Sequence, residues 1–271
     1  MKTQLISLFQ DTWAILCQNK MIWVFSFLFV FPQVISLFLQ SDEIALYCLN
    51  AIVNLLGFAI MVISPIGIIR VVFSATKNEI ITFSEAWREA KRYFWRVFST
   101  YLVFGVTVLI LLLLFFPYTQ FAEASLLAYI ALVLVSQIAW PMALFAWCGI
   151  VIDKLKVFQS LRNSLLITVN NISQVLVIDL MFLLAYYLFI GISVLVAWLL
   201  PGNQTLLEPM SSFSMRSLIA LDRIPTIWLL NRIDLFIFTA LGSTIYTLAY
   251  LRYTAKISYP DLDSSRRRSA G

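Results

Sequence analysis

Histidine is absent from all 271 residues of this chain. It is the commonest general base near neutral pH and the commonest metal ligand, so most hydrolase mechanisms and metal centres lose their usual residue. Cysteine is scarce as well: Cys17, Cys48 and Cys148 are an odd set without CxxC spacing. They read as small hydrophobes rather than a disulfide frame or a zinc site. Charge is the third shortage. Only 12% of residues are charged, where a soluble domain carries roughly 25%. No cofactor motif is legible, so no cofactor and no enzymatic activity are expected. The stretch from Met1 to Lys20 is amphipathic and lacks a small-residue cleavage site before the first apolar run, so it does not read as a signal peptide.

What the chain has in excess is apolar length. It is 61% hydrophobic, its mean hydropathy is +0.90, and six of its apolar runs are long enough to cross a bilayer. A soluble buried core would not need runs of that length. The expected fold is all-α, a polytopic membrane protein with six transmembrane helices in a single domain, residues 1–271. The spans are expected near Met21–Gln40, Ile44–Ser74, Val97–Phe116, Ala124–Ile152, Ile172–Leu200 and Ile233–Leu251. Pro65 and Pro141 are the expected kinks. Pro201-Gly202 breaks the chain before its one long connection, whose middle, Met215 to Leu230, is expected along the membrane surface.

Three amphipathic stretches precede the odd-numbered spans. Ile6, Phe9, Trp13 and Leu16 form a helical stripe in the first. In the second, Thr82 and Glu85 have the spacing of a capping box. Phe83, Trp87, Ala90, Phe94 and Val97 follow on one face, with Arg88, Glu89, Arg92 and Arg96 off it. The third carries Val157, Leu161 and Leu165, with Arg162 and Asn163 elsewhere. Such helices belong at the membrane interface. All of the 19 basic residues except Arg216, Arg223 and Arg232 fall on the side of the N-terminus. The positive-inside rule therefore places both termini in the cytoplasm.

The amphipathic stretches also repeat. Phe9-Gln-Asp-Thr-Trp13 stands 74 residues before Phe83-Ser-Glu-Ala-Trp87, and Val157-Phe-Gln-Ser-Leu161 stands 74 residues further on. This spacing suggests three units, about 3–76, 77–153 and 154–255, with a tail at 256–271. Each unit would be an interfacial helix followed by a helical hairpin, entering the membrane from the same side. Chance similarity among aromatic-rich junctions is the alternative.

The Phe83-Ser-Glu-Ala-Trp87 helix, the Val151-Ile-Asp-Lys154 segment leading into Ser160-Leu-Arg-Asn-Ser164, and the closing Leu251-Arg-Tyr253 together carry a resemblance. The chain resembles the six-helix membrane domain fused to some bacterial glycerophosphodiester phosphodiesterases, and that domain's stand-alone relatives. The resemblance implies a six-helix fold in a bacterial plasma membrane. It implies no catalysis, because the catalytic domain of such fusions uses histidine and acidic metal-binding motifs that this chain lacks.

A few residues stand out within the apolar runs. Asp179 lies seven residues into the fifth span, where an unpaired carboxylate costs a few kcal/mol. It reads either as a proton or cation site or as a packing acid bonded to a neighbouring helix. Asn50, Asn54 and Gln137 are the other intramembrane polar groups; they line a cavity or form interhelical hydrogen bonds. Arg70 is placed to reach the headgroups and needs no special role. Arg88, Lys91, Arg92, Arg96, Lys154 and Lys156 are candidate contacts for anionic headgroups, or charges that only set topology. The expected partners are membrane lipids, anionic ones among them, and a further membrane protein. Nucleic acid is excluded, because the basic residues track the membrane boundaries. The expected role is a non-enzymatic membrane scaffold or lipid-interacting module. The alternative is a small-molecule or lipid transporter with a site near Asp179.

Overall fold

Glycine decides how the first two apolar runs pack. Both are apolar on every face, so no stripe selects a partner and close approach must come from small residues. The computed structural model describes residues 2–39, 44–115, 138–199 and 225–255. Helix α2 (Lys20–Phe38) and helix α3 (Ile44–Thr76) form an antiparallel hairpin. Gly57 lies against Pro32, and Gly67 lies against the ring of Phe25; a Cβ at either glycine would overlap that side chain. The Phe25 ring also lies against Phe83 and Trp87, with centroids 5.0 and 6.3 Å away.

Among the described residues the fold is all-helical, with eight helices and no strand. Helix α1 (Lys2–Gln18) precedes the hairpin. Helices α4 (Phe83–Phe115), α5 (Ile138–Val151), α6 (Val157–Asn170), α7 (Ile172–Leu199) and α8 (Pro225–Thr254) follow it. Three helical segments are long and apolar enough to cross a membrane: Ile44–Thr76, Ile172–Phe189 and Arg232–Thr254. A fourth joins them if α1 and α2, which meet at 86°, count as one bent span. The expectation of six spans is therefore met in part. The end of the third expected span, most of the first half of the fourth, most of the long connection and the tail lie outside the described residues.

Asparagine makes the bend between α1 and α2. The Asn19 side chain donates to the Ile15 carbonyl at 3.0 Å, and so does its backbone N–H. Asn19 thus closes the last turn of one helix, while its own carbonyl accepts from Ile22 to open the next. The same device joins α6 to α7. There the Asn171 side chain donates to Ile167 at 2.9 Å, and the Asn171 carbonyl accepts from Gln174 and Val175.

Helix α4 has no such joint. Tyr93-Phe-Trp-Arg-Val97 supplies no short polar side chain to compete for the backbone, so the amphipathic stretch and the apolar run form one 33-residue helix. Two of the three expected interfacial helices are therefore separate, and the second is an arm of a longer helix. α8 also differs from expectation. It begins at Pro225, at the first helical position that proline favours, so Pro225–Leu230 belongs to that helix rather than to a surface segment.

The termini of α3 and α4 are closed locally. Asn78, with φ 57°, takes the left-handed position after α3, and Glu79 N–H donates to the Ser74 carbonyl at 3.0 Å. The expected capping box is formed at α4. Glu85 accepts from the backbone and hydroxyl of Thr82 at 2.9 and 2.8 Å, and its N–H donates to Thr82 Oγ1 at 3.3 Å.

The buried core gathers at one end of the bundle. It takes Ile22 and Phe25 from α2, Val62 to Val72 from α3, Ala86 to Val97 from α4, Ala143 to Val151 from α5 and Ala240 to Tyr253 from α8. This is the end that holds α1, α6 and the α4 arm, and we call it the basic end. Away from it the apolar side chains are exposed: Leu55 on α3 and Leu184 on α7 retain 73% and 62% of their surface. Apolar surface of that extent suits contact with hydrocarbon rather than water.

Two outcomes test this packing. Gly67→Ala should destabilise the protein in detergent by about 1–3 kcal/mol through overpacking. Gly105→Ala, where nothing lies within 4 Å, should be neutral or stabilising. Equal unfolding midpoints for the two variants would contradict the glycine contact.

The Thr82 backbone and hydroxyl hydrogen bonds hold the Glu85 carboxyl below its usual range. A lowered value means that the cap's contribution is present above the ordinary carboxylate pKa and is lost as pH falls through the lowered one. Amide exchange in the first turn of α4 should therefore accelerate only in strongly acidic buffer, and at every pH in Thr82→Ala. Wild-type protection in Thr82→Ala at neutral pH would contradict the cap.

Candidate functional site

A tyrosine that enters an apolar interior must bring its hydroxyl to a partner. Helix α8 does this at Tyr246 and Tyr250, and Tyr253 follows on the same face, the three spaced four and three residues apart. All three are buried. Tyr246 donates to Oδ1 of Asp179 on α7, and its ring is stacked with Phe182 and meets Phe145 edge-on. Tyr250 donates to Oδ2 of Asp153 and accepts from Asn163 Nδ2 on α6 at 3.3 Å. Phe145 of α5 lies among all three tyrosine rings.

Local structure places these partners. Lys154, with φ 58°, turns the chain sharply after α5, and Leu155 N–H closes the turn onto the Gly149 carbonyl at 3.1 Å. That turn brings Asp153 beneath Tyr250. Gly149 also lets α6 approach: a Cβ there would stand 3.0 Å from Ser160 Oγ, which donates to the Ala146 carbonyl. Before and between the tyrosines α8 consumes its own polar groups, since Thr239, Thr244 and Thr247 each donate to the carbonyl four residues back.

Two buried carboxyl oxygens have no hydrogen-bond partner among the described residues, one in this region and one more than three turns earlier on α8. One is Asp179 Oδ2 and the other is Asp234 Oδ1, and the two side chains are 4% and 3% exposed. A buried polar atom without a partner costs about 1–3 kcal/mol, so Asp179 is satisfied at one oxygen only.

The other residues singled out from the sequence are dispersed. Asn54 donates to Asn50 at 3.0 Å within one turn of α3, with Asn54 exposed. That pair does not join the sealed Asp179–Tyr246 contact, and Gln137 lies outside the described residues. Arg88, Lys91, Arg92 and Arg96 are all exposed along one side of the α4 arm, and Trp95, 72% exposed, stands among them. Lys154 and Lys156 are exposed on the turn before α6. None of these six cations takes part in an ion pair among the described residues.

The ion pairs that do form were not legible in the sequence. Arg70 joins Glu89 between α3 and α4, so it does more than reach the headgroups. Arg252 joins Asp11 and also bonds Ser7 at 3.0 Å, tying α8 to α1. No group of three or more His, Cys, Asp or Glu capable of holding a metal occurs among the described residues.

The Asp179–Tyr246 contact predicts a coupled pair. Tyr246→Phe leaves both Asp179 oxygens without a partner and should cost about 1–3 kcal/mol of unfolding free energy, whereas adding Asp179→Leu should recover most of that loss. Additive costs in the double variant would show that the two side chains do not interact. No protein-family model, curated protein or solved structure matches the chain.

Proposed function

We propose that the chain is a non-enzymatic, multi-pass protein of the bacterial plasma membrane, acting as a membrane scaffold or lipid-interacting module. In this reading the basic end faces the cytoplasm and the α4 arm holds anionic headgroups. The observation that carries it is the exposed row Arg88, Lys91, Arg92 and Arg96 around Trp95. Cations of this kind contribute about 1 kcal/mol each near an anionic surface. An exposed indole among them suits the headgroup level, where tryptophan is enriched. Trp13 on α1 and Phe158 on α6 are exposed as well, at 63% and 81%, and each interfacial stretch thereby presents one aromatic anchor.

The same reading takes six spans, with α2, α3, the apolar part of α4, the segment ending in α5, α7 and α8 crossing the bilayer and both termini cytoplasmic. The twin asparagine joints at Asn19 and Asn171 support three repeated units, with the middle joint replaced by continuous helix. The resemblance to the six-helix membrane domain of glycerophosphodiester phosphodiesterases supports the span number and the location.

A second reading, transport of a small molecule or lipid, is favoured by one observation: the buried Asp179 oxygen without a partner. Solute flux into proteoliposomes that collapses in Asp179→Asn, with the unfolding midpoint retained, would establish it. Flux that survives the substitution would dismiss it.

The lipid reading is tested by Trp95 fluorescence in vesicles containing brominated phosphatidylglycerol or brominated phosphatidylcholine. Quenching should favour the anionic lipid, and the preference should fall by about tenfold or more when Arg88, Lys91, Arg92 and Arg96 are all changed to Gln. Equal quenching by both lipids in the wild-type protein would contradict it.

A further inference from the structure

Four side chains form a series that runs from the surface of the basic end into the interior. Asp153 is exposed; Tyr250 is buried and donates to it; Tyr246 lies one helical turn further along α8; and Asp179 accepts from Tyr246. Tyr250 is engaged as donor and acceptor at once, because Asn163 donates to it. The series ends on the Asp179 oxygen that has no partner. An acid kept only to pack α7 against α8 would be served better with both oxygens bonded, as buried polar groups usually are. From α8 the titratable group facing Asp179 is Tyr246, with Tyr250 beyond it. From α6, which also packs against α7, the buried side chains are Ser160, Asn163, Ser164, Ile167 and Thr168, and from α5 Phe145 meets Tyr246 and Cys148 bonds Thr247; of these only the Cys148 thiol is ionisable. Neither ion pair, Arg70–Glu89 or Arg252–Asp11, involves Asp179, which has no bonded cation among the described residues.

We propose that Asp179 is a proton-binding site and that Asp153, Tyr250 and Tyr246 are its route to the solvent of the basic end. The proposal deepens the transport reading by naming the ligand of that site, and it rests on the site being functional. In the loading direction a solvent proton lands on the Asp153 carboxylate. Once protonated, Asp153 becomes the donor of that bond; the Tyr250 hydroxyl turns off it, takes the Asp153 proton and releases its own towards Tyr246. The Tyr246 oxygen takes that one while its hydroxyl proton passes to Asp179. Each phenol keeps its proton count, and the net change is one proton and one positive charge at Asp179. Side chains four residues apart on a helix lie on one face with Cβ atoms about 6 Å apart, and the proposed route needs a water between the two hydroxyls to carry the proton across. Asp153, Tyr250 and Tyr246 are positioning and relay residues; Asp179 alone is the site.

Infrared difference spectroscopy of the full chain in lipid vesicles, between acidic and alkaline buffer, tests this directly. The expected result is an acid-induced carboxyl C=O band in the wild type that is missing in Asp179→Asn, with a circular-dichroism melt confirming that the variant is folded. In heavy water the band should shift, and in Tyr250→Phe that exchange should slow by about tenfold, the factor of a barrier higher by one hydrogen bond. If Asp179→Asn does not fold, Tyr246→Phe serves in its place and should move the band while keeping the ring. A wild type without a band, or a band unchanged in every Asp179 and Tyr246 variant, overturns the site. Exchange at the wild-type rate in Tyr250→Phe overturns the route. Sodium added at fixed pH should leave the band unmoved; a sodium-dependent loss of the band would replace the proton with a metal cation. The band does not depend on solute flux, so a protein that loads a proton and moves no solute separates this proposal from the transport reading.

Discussion

The buried hydroxyls of α8 constrain the rest of the bundle. A phenol oxygen inside an apolar interior costs free energy until it is bonded, so the positions of Tyr246 and Tyr250 dictate where Asp179, Asp153 and Asn163 must be. Three elements distant in sequence, namely α7, the turn after α5, and α6, are fixed on α8 by those two side chains. The same helix holds α2 through Ser26, which donates to the Phe236 carbonyl, and α1 through the Arg252 pair with Asp11. The last of the described helices therefore completes the packing of the first. Contacts of such sequence separation form late and slow the search for the native state, so α1 gains its partner only when α8 has been made.

Order and chemistry concentrate at the same end of the molecule. The core lies where α1, the α4 arm and α6 meet the longer helices, and the exposed cations lie on the outside of that core. Away from it, α3 and α7 expose apolar side chains around most of their circumference. A bilayer resolves the imbalance. Hydrocarbon suits the open halves, and in the function proposed above an anionic surface meets Arg88, Lys91, Arg92 and Arg96 at the level of Trp95. The two asparagine joints belong to this scheme, since a break at Asn19 or Asn171 lets a short amphipathic helix turn away from the span that follows it. The α4 arm cannot turn in this way and projects its cations on a rigid helix.

Features encoded within one turn of helix were legible in the sequence. The Thr82–Glu85 cap needs residues three apart and nothing else, and it is formed as expected. Asp179 was conspicuous because a carboxylate in an apolar run is costly wherever it sits. Its partner was not conspicuous, because Tyr246 is 67 residues away and tyrosine is ordinary in membrane proteins. Arg70 and Glu89 were read separately, one as a residue reaching the headgroups and the other as part of a polar helix face. Only the α3–α4 packing brings them together. Asn19 and Asn171 carried a usable signal: each is a short polar side chain standing within two residues of the start of an apolar run, able to bond the backbone four residues behind it. The number of spans is met in part: three helical segments, or four with the bent pair, are long and apolar enough to cross among the described residues. Hydropathy counts apolar runs, whereas a helix such as α4 carries charge and apolar length on one axis, and Pro225 starts α8 before its apolar part begins.

The central claim is that the basic end holds anionic lipid. Native mass spectrometry of the protein, released from its own membrane in mild detergent, tests it most directly. The account predicts anionic phospholipid retained at fixed stoichiometry and lost when the four α4 cations are neutralised. A protein that emerges free of lipid, or that retains zwitterionic lipid equally with or without those cations, would contradict it.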